Sequence, residues 1–183
     1  PYSAFTKKDF SNATDQEKFK FVEYHKWKFT ADWYTPITKK VVLKAKVGMG
    51  YLGHYNSAIG PAPFERFYLG GSALTGFALD GREIIGLRGY DDLSLSPSDG
   101  GLLISKYTTE LRFLLSPNPS ATVFLLGFLE AGNSWGDYKS FDPFTVKRSG
   151  GVGLRLFMPM FGLMGLDYAL QTWQKANSTL QLA

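Results

Sequence analysis

Along residues 18–33 the side chains alternate: Phe19, Phe21, Glu23, His25, Trp27, Phe29, Ala31 and Trp33 at the odd positions, Lys18, Lys20, Val22, Tyr24, Lys26, Lys28, Thr30 and Asp32 at the even ones. One face is rich in rings and the other in charge, a period of two that predicts a β-strand. Pro36 and Thr38-Lys39-Lys40 then mark a turn. The pattern returns in 41–51, with Val41, Leu43, Ala45, Val47, Met49 and Tyr51 opposed by Lys44, Lys46, Gly48 and Gly50. Segment 102–115 sets Leu103, Tyr107, Leu111, Phe113 and Leu115 against Lys106, Thr108, Glu110 and Arg112. Segment 146–158 sets Val152, Leu154, Leu156 and Met158 against Gly151, Gly153 and Arg155. Segment 162–170 sets Met164, Leu166, Tyr168 and Leu170 against Gly165, Asp167 and Ala169. Segment 121–135 is apolar on both faces until Glu130, so its facing is not legible, and a weaker strand is expected around 178–183.

These strands exceed the roughly 5–6 residues of ordinary ones and reach the roughly 9–11 that a tilted strand needs to cross a bilayer. Their polar faces carry Lys, Glu, Arg and Asp, which a packed sandwich core rejects and a wet lumen accepts. Short turns at 36–40, 116–120 and 159–162 alternate with long loops at 53–100, 136–145 and about 171–177, the rhythm of a transmembrane barrel. The expected fold class is therefore all-β, a transmembrane antiparallel β-barrel. Because single-chain bacterial barrels have even strand numbers, the seven strands would be the C-terminal segment of a larger barrel, whose expected total is 16. A chain that starts Pro-Tyr-Ser and stops at Leu182-Ala183 is expected to be a piece of a longer protein, all of 1–183 belonging to one barrel domain. The alternative on pattern alone is a soluble antiparallel sheet packed on a partner sheet.

Composition sharpens this reading. Aromatic residues make up 16% of the 183 residues and glycine contributes 20 of them, which favours strands and tight turns. With no cysteine, thiolate metal sites, disulfides and Cys nucleophiles are excluded. The net charge of +4 is too mild to argue for nucleic acid. Lys18, Lys20, Lys26, Lys28, Lys44 and Lys46 are better explained as a polar lumen or rim, since alternation puts them on one wall. Neither His25 nor His54 has a partner set for catalysis or a metal, so no catalytic residue, metal or cofactor is expected. Trp27, Trp33, Tyr34, Tyr51, Trp135 and Tyr138 are candidates for an interfacial girdle.

Residues 53–100 form the longest stretch without a clean strand, and loops of that length are usually functional. The loop holds Pro63-Phe64-Glu65-Arg66-Phe67-Tyr68-Leu69-Gly70-Gly71 and then Ile85-Gly86-Leu87-Arg88-Gly89-Tyr90. Folded back into a lumen, it could set Arg88 against Glu110, Glu130 or both through charge-assisted bonds.

With those residues in view, the chain resembles the C-terminal barrel part of BamA-type outer-membrane protein assembly factors, a superfamily shared with TamA and the two-partner secretion transporters. The Phe64–Gly71 run with Leu87-Arg88-Gly89-Tyr90 is similar to the family's sixth extracellular loop and its Val-Arg-Gly-Phe/Tyr motif. Phe128-Leu129-Glu130-Ala131-Gly132-Asn133-Ser134-Trp135 is similar to the following acidic-x-Gly-x-x-Trp strand, with Glu where many members have Asp. Arg148–Arg155, the Met158-Pro159 turn and Gly162–Tyr168 resemble the penultimate strand pair. The likeness covers about residues 17–170, and its style is most similar to members from Bacteroidetes. It implies a lumen site in which Arg88, Gly89 and Tyr90 are held by Glu110 and Glu130, with Phe64, Phe67, Gly70 and Gly71 shaping the loop and Gly132 and Trp135 the wall. It also implies an outer-membrane location and non-enzymatic insertion of β-barrel proteins by strand templating at a lateral seam. The implied partners are nascent outer-membrane proteins, outer-membrane lipid and accessory assembly lipoproteins, with no nucleic acid. The chain departs from the family at its end, where Ser178–Ala183 lacks the usual closing Phe or Trp; POTRA repeats and early strands are expected upstream. The competing functions are a two-partner secretion pore, a porin-like transporter whose long loop narrows the channel, and a soluble binding module.

Overall fold

The computed structural model describes residues 10–72 and 82–171, together with the backbone of 178–182. One turn of helix, α1 (Asp15–Lys18), precedes the strands β1 (Tyr24–Pro36), β2 (Val41–His54), β3 (Phe67–Leu69), β4 (Glu83–Ile85), β5 (Leu103–Asn118), β6 (Ala121–Trp135), β7 (Lys147–Met158), β8 (Gly162–Gln171) and β9 (Ser178–Leu182). Seven of these form one antiparallel sheet in the order β1-β2-β5-β6-β7-β8-β9, an up-and-down meander whose only detour is the long loop between β2 and β5. Within the described residues the sheet is open, with β1 and β9 as its edges.

Strand lengths follow from which partners are available. The expected first strand at 18–33 is observed at 24–36, because Tyr24 pairs with His54 and beyond His54 the neighbouring chain leaves the sheet. Lys18 and Lys20 therefore precede the wall instead of standing on it; Lys18 closes α1. The strands β5 and β6 run 16 and 15 residues, joined at Asn118–Ala121, with a register shift between Leu114 and Ser116.

The alternation sorts the sheet into two unlike faces. The outer face carries Trp27, Phe29, Trp33, Met49, Leu111, Phe113, Leu129, Val152, Leu154, Leu166 and Tyr168, all exposed, Trp27 at 69% and Leu129 at 66%. No other sheet covers these rings among the described residues, so the sandwich alternative is set aside. A wall of this kind leaves water only by meeting hydrocarbon, and the strands are long enough to cross it. The register resolves the facing of β6: Leu125 and Leu129 point outward, while Leu126, Phe128 and Glu130 are buried on the inner face. Tyr34, opposite Lys44, faces inward with Lys44 and Arg112 over its ring, whereas Trp27, Trp33 and Tyr51 are exposed on the outer face as a girdle requires. The other two girdle candidates are not: Trp135 is buried edge-on against Phe141 (5.0 Å between centroids), and the Tyr138 hydroxyl donates to the Leu52 carbonyl at 2.6 Å.

The inner face is covered by the long loop. The loop contains a two-stranded parallel unit that periodicity did not reveal, since three residues are too few to show a period: β3 pairs with β4 from Phe67↔Glu83 to Leu69↔Ile85. Bridges Phe67↔Gly101 and Gly71↔Leu87 extend it. Leu52 and Ile104 from the sheet and Phe67, Leu69, Leu87, Tyr90 and Leu102 from the loop make one core cluster. Each such leucine withdrawn from water contributes about 1.5–3 kcal/mol, which fastens the loop by burial before any polar contact is counted.

Candidate functional site

The site grows from the inward positions of four neighbouring strands. Antiparallel pairing sets Thr108 opposite Glu130, Glu110 opposite Phe128, Glu130 opposite Ser149, and Gly153 opposite Asp167. Inward carboxylates from β5, β6 and β8 thus converge on one patch of wall. Each is already answered by a cation of the wall itself. Arg112 donates to Glu110 through Nε (3.0 Å) and a terminal nitrogen (2.6 Å). Lys106 reaches Glu130 at 3.2 Å and also donates to the Gly86 carbonyl. Arg155 forms a two-pronged pair with Asp167, at 2.6 and 2.7 Å.

Into this patch the loop inserts Arg88, whose side chain is only 11% exposed. One terminal nitrogen donates to Glu110 and to Glu130, each at 2.9 Å, and the other to Asp167 at 3.3 Å. Its backbone N–H donates to the second oxygen of Glu130 at 2.9 Å, and the guanidinium lies 3.6 Å from the centre of the Phe128 ring. The planar fork and delocalised charge of arginine suit such a position; a lysine point charge could not span it. Four cations (Arg88, Lys106, Arg112, Arg155) meet three carboxylates, so no negative charge is left over for a metal ion.

The rest of the motif locks the backbone around Arg88. Gly89 has φ +90°, a conformation that favours glycine, and a Cβ there would lie 3.3 Å from Ser149 Cβ and 3.4 Å from Ala169 Cβ, a close fit under the loop. Its carbonyl accepts from the Gln171 side chain at 2.8 Å, and the Tyr90 hydroxyl donates to the Arg148 carbonyl at 2.9 Å. Gly70 and Gly71 donate to the carbonyls of Ile85 and Tyr90, each at 3.0 Å. Gly132 lies beneath the loop, where a Cβ would come within 2.8 Å of the Ser105 carbonyl oxygen. Trp135 ends β6 and accepts the Leu102 N–H at 2.8 Å. Phe67 is fully buried, whereas Phe64 stands apart, 72% exposed.

The structure brings Arg88, Gly89, Tyr90, Glu110 and Glu130 together and adds residues that sequence reading had not assigned to the site: Asp167, Arg155, Lys106 and Gln171. Alternation puts Asp167 and Arg155 on the polar faces of their strands, so the charge is visible in the sequence. Their meeting depends on a diagonal across the β7–β8 register, which no single segment displays.

A second set of contacts holds the far side of the loop to β1. Lys26 lies 3.2 Å from Glu65 and 3.0 Å from Glu83, with its ammonium 4.7 Å from the Phe67 ring centre; Lys28 reaches Glu83 at 2.8 Å. Exchanging Lys26 for glutamate (Lys26→Glu) is expected to weaken this attachment by about 1–2 kcal/mol, between the limits for exposed and buried pairs. Hydrogen exchange in β3 and β4 should rise while the Arg88 end stays protected; unchanged exchange would remove the attachment from consideration. Burial alone would raise the Glu83 pKa, but hydrogen bonds and charge from Lys28 and Lys26 bring it below the ordinary carboxylate value. The contact is thus intact above the unfolded carboxylate range and lost as pH falls through the depressed value, so acid should release β3–β4 before neutral or alkaline pH does.

A family model described as the Omp85 superfamily domain matches residues 12–181. No curated protein matches the chain. Among solved structures, the crystal structure of BamA from Haemophilus ducreyi lacking POTRA domains 1–3 is similar, with a TM-score of 0.63 and 19% identity, covering 87% of this chain and 34% of that one. At that identity the likeness is one of fold, and the chain spans about a third (34%) of the length of the structure it matches.

Proposed function

The chain belongs to the Omp85 superfamily, its strands being transmembrane strands of an outer-membrane β-barrel, and from that premise we propose that it serves the insertion of β-barrel proteins into that membrane. The observation that carries this reading is the loop arginine held on the inner wall by carboxylates of three strands, at 2.9, 2.9 and 3.3 Å. A barrel that must part at a seam needs the rest of its wall kept in shape. In this proposal residues 53–100 are an extracellular loop folded into the lumen, Arg88 is their anchor, and POTRA repeats and the early strands lie upstream.

The mechanism is non-enzymatic. An open sheet edge in lipid exposes N–H and C=O groups at several kcal/mol each, so a parted seam is a strong template for an incoming strand. Pairing satisfies those groups one by one, and the nascent outer-membrane protein is drawn into the membrane as its own sheet grows. Outer-membrane lipid is the solvent for this step, and accessory assembly lipoproteins are the expected partners of the complete protein.

The test uses the full-length protein reconstituted in liposomes with a urea-denatured barrel substrate. Assembly predicts faster acquisition of the substrate's heat-modifiable, protease-resistant form than in empty liposomes, with small, erratic conductance. No acceleration, together with a large steady conductance, would replace assembly by transport.

A further inference from the structure

Beside the Arg88 site, a cavity of about 460 Å³ lies between β1, β2 and β5 of the sheet and the loop strand β4. The register explains it. Thr30, Gly48 and Lys106 form one row across three strands. Lys28, Gly50 and Ile104 form the next row toward the long loop, and Asp32, Lys46 and Thr108 the next toward the short turns. The two glycines are used differently. A Cβ at Gly50 would lie 2.6 Å from Phe67 Cζ, so the loop's ring fills that place and closes the cavity on the long-loop side. At Gly48 a Cβ would meet nothing nearer than the Lys106 carbonyl oxygen at 3.9 Å, so the space over it is open. Toward the short turns the cavity continues past Lys46 to Lys44.

The charges lining this cavity are unequally matched. Each lining carboxylate is within ion-pair distance of two cations: Glu83 of Lys26 and Lys28, Glu110 of Arg88 and Arg112, Glu130 of Arg88 and Lys106, Asp167 of Arg88 and Arg155. Lys44 and Lys46 have the reverse arrangement. Among the described residues they share one carboxylate, Asp32, 3.8 Å from each ammonium and beyond hydrogen-bond length. Lys44 also lies over the Tyr34 ring, 5.8 Å from its centre, while the Lys46 side chain is 41% exposed. Two ammoniums, with three N–H donors each, thus meet at a single carboxylate at the cavity's mouth. Thr30 lines the same space from β1 and adds a hydroxyl. A concave, low-dielectric wall with a surplus of one sign concentrates ions of the other.

We propose that this cavity is a binding site for a small tetrahedral oxyanion, inorganic phosphate or sulfate, held by Lys46 and Lys44 at its mouth and by the Thr30 hydroxyl. The donors come from three successive rows of two strands, which suits oxygens spread over a tetrahedron better than the planar pair of a carboxylate. The bound anion joins β1 to β2 beneath the loop and offsets the repulsion between the two ammoniums, so its binding stabilises the folded wall by mass action. The site requires only an aqueous lumen, and it stands whether the barrel assembles proteins or transports them.

The experiment is equilibrium dialysis of the full-length protein, in an uncharged detergent, against radiolabelled inorganic phosphate at an ionic strength held constant with sodium chloride. Each variant is first checked for the compact electrophoretic form. The wild type should bind phosphate saturably, with sulfate competing. Lys46→Gln should weaken that binding about tenfold, the loss of one charge-assisted contact, whereas Lys46→Arg should keep most of it. Gly48→Val, which fills the cavity without touching a charge, should also lose the anion, and Thr30→Val tests the site from the neighbouring strand if the former fails to fold. Asp32→Asn removes the carboxylate that competes for both lysines and should bind phosphate more tightly, which a merely structural charge cluster would not do. No saturable binding in the wild type, wild-type affinity in Lys46→Gln together with a folded Gly48→Val or Thr30→Val, or weaker binding in Asp32→Asn would each overturn the proposal.

Discussion

Replacing Arg88 with alanine is expected to lower the stability of the loop-bound state by about 3 kcal/mol, the lower end of the range for breaking a buried pair. The lower end applies because no carboxylate is orphaned: Glu110 keeps Arg112, Glu130 keeps Lys106 and Asp167 keeps Arg155. What is lost is the connection between wall and loop. Arg88→Lys should fall between wild type and alanine, because a point charge cannot reach all three oxygens at once. Arg88→Glu should be the most severe, setting four carboxylates against three cations. A compensating Glu130→Arg is expected to restore only part of the loss, since the introduced carboxylate still faces Glu110 and Asp167, and Glu130 no longer accepts the Arg88 backbone N–H or holds Lys106. The readouts are the temperature at which the compact electrophoretic form is lost and the protease sensitivity of residues 60–90. Both unchanged in Arg88→Ala would end the anchoring role.

The second large effect is expected at Asp167, which is fully buried and grips the Arg155 guanidinium with both oxygens. Asp167→Asn leaves that guanidinium inside the wall without its counter-charge and should cost about 3–5 kcal/mol. The space the pair occupies is created by glycine: a Cβ at Gly165 would lie 2.7 Å from both Cδ and Cζ of Arg155. Removing both charges with side chains of similar volume, Asp167→Leu with Arg155→Met, should recover most of the stability, because the desolvation cost goes with the attraction. Recovery of stability need not bring recovery of function, since Arg88 would still lack its third carboxylate. A double-mutant cycle between Arg88 and Asp167 should therefore show a coupling of about 0.5–3 kcal/mol. Strict additivity would mean that the 3.3 Å contact contributes nothing.

How far the site was legible varied with the kind of information each part needed. The Arg88 motif, Glu110 and Glu130 are accessible because each sits within a local pattern: an arginine between an apolar residue and glycine, a carboxylate on the charged face of an alternating strand (Glu110), and a carboxylate two residues before a glycine in a run that ends in tryptophan (Glu130). The β3–β4 unit is not, because three residues pairing in parallel across an intervening segment leave no period to detect. Residue type points Trp135 and Tyr138 to a girdle; the burial of Trp135 against Phe141 and the hydroxyl bond of Tyr138 to Leu52 depend on partners that the fold brings to them. Alternation puts Lys26 on a polar wall, but its partners Glu65 and Glu83 arrive from a loop whose path alternation cannot trace.

The order of residues alone determined that this chain makes long antiparallel strands with one face for hydrocarbon and one for charge, since a period of two is a property of the backbone and needs no partner. It determined the turns as well, and hence the meander. Only the tertiary structure decided which inward charges meet, how the loop crosses them, and where the inner face is hollow. Those are properties of register between strands and of a chain returning from far away, and a charge acquires its energy from the neighbour it is given.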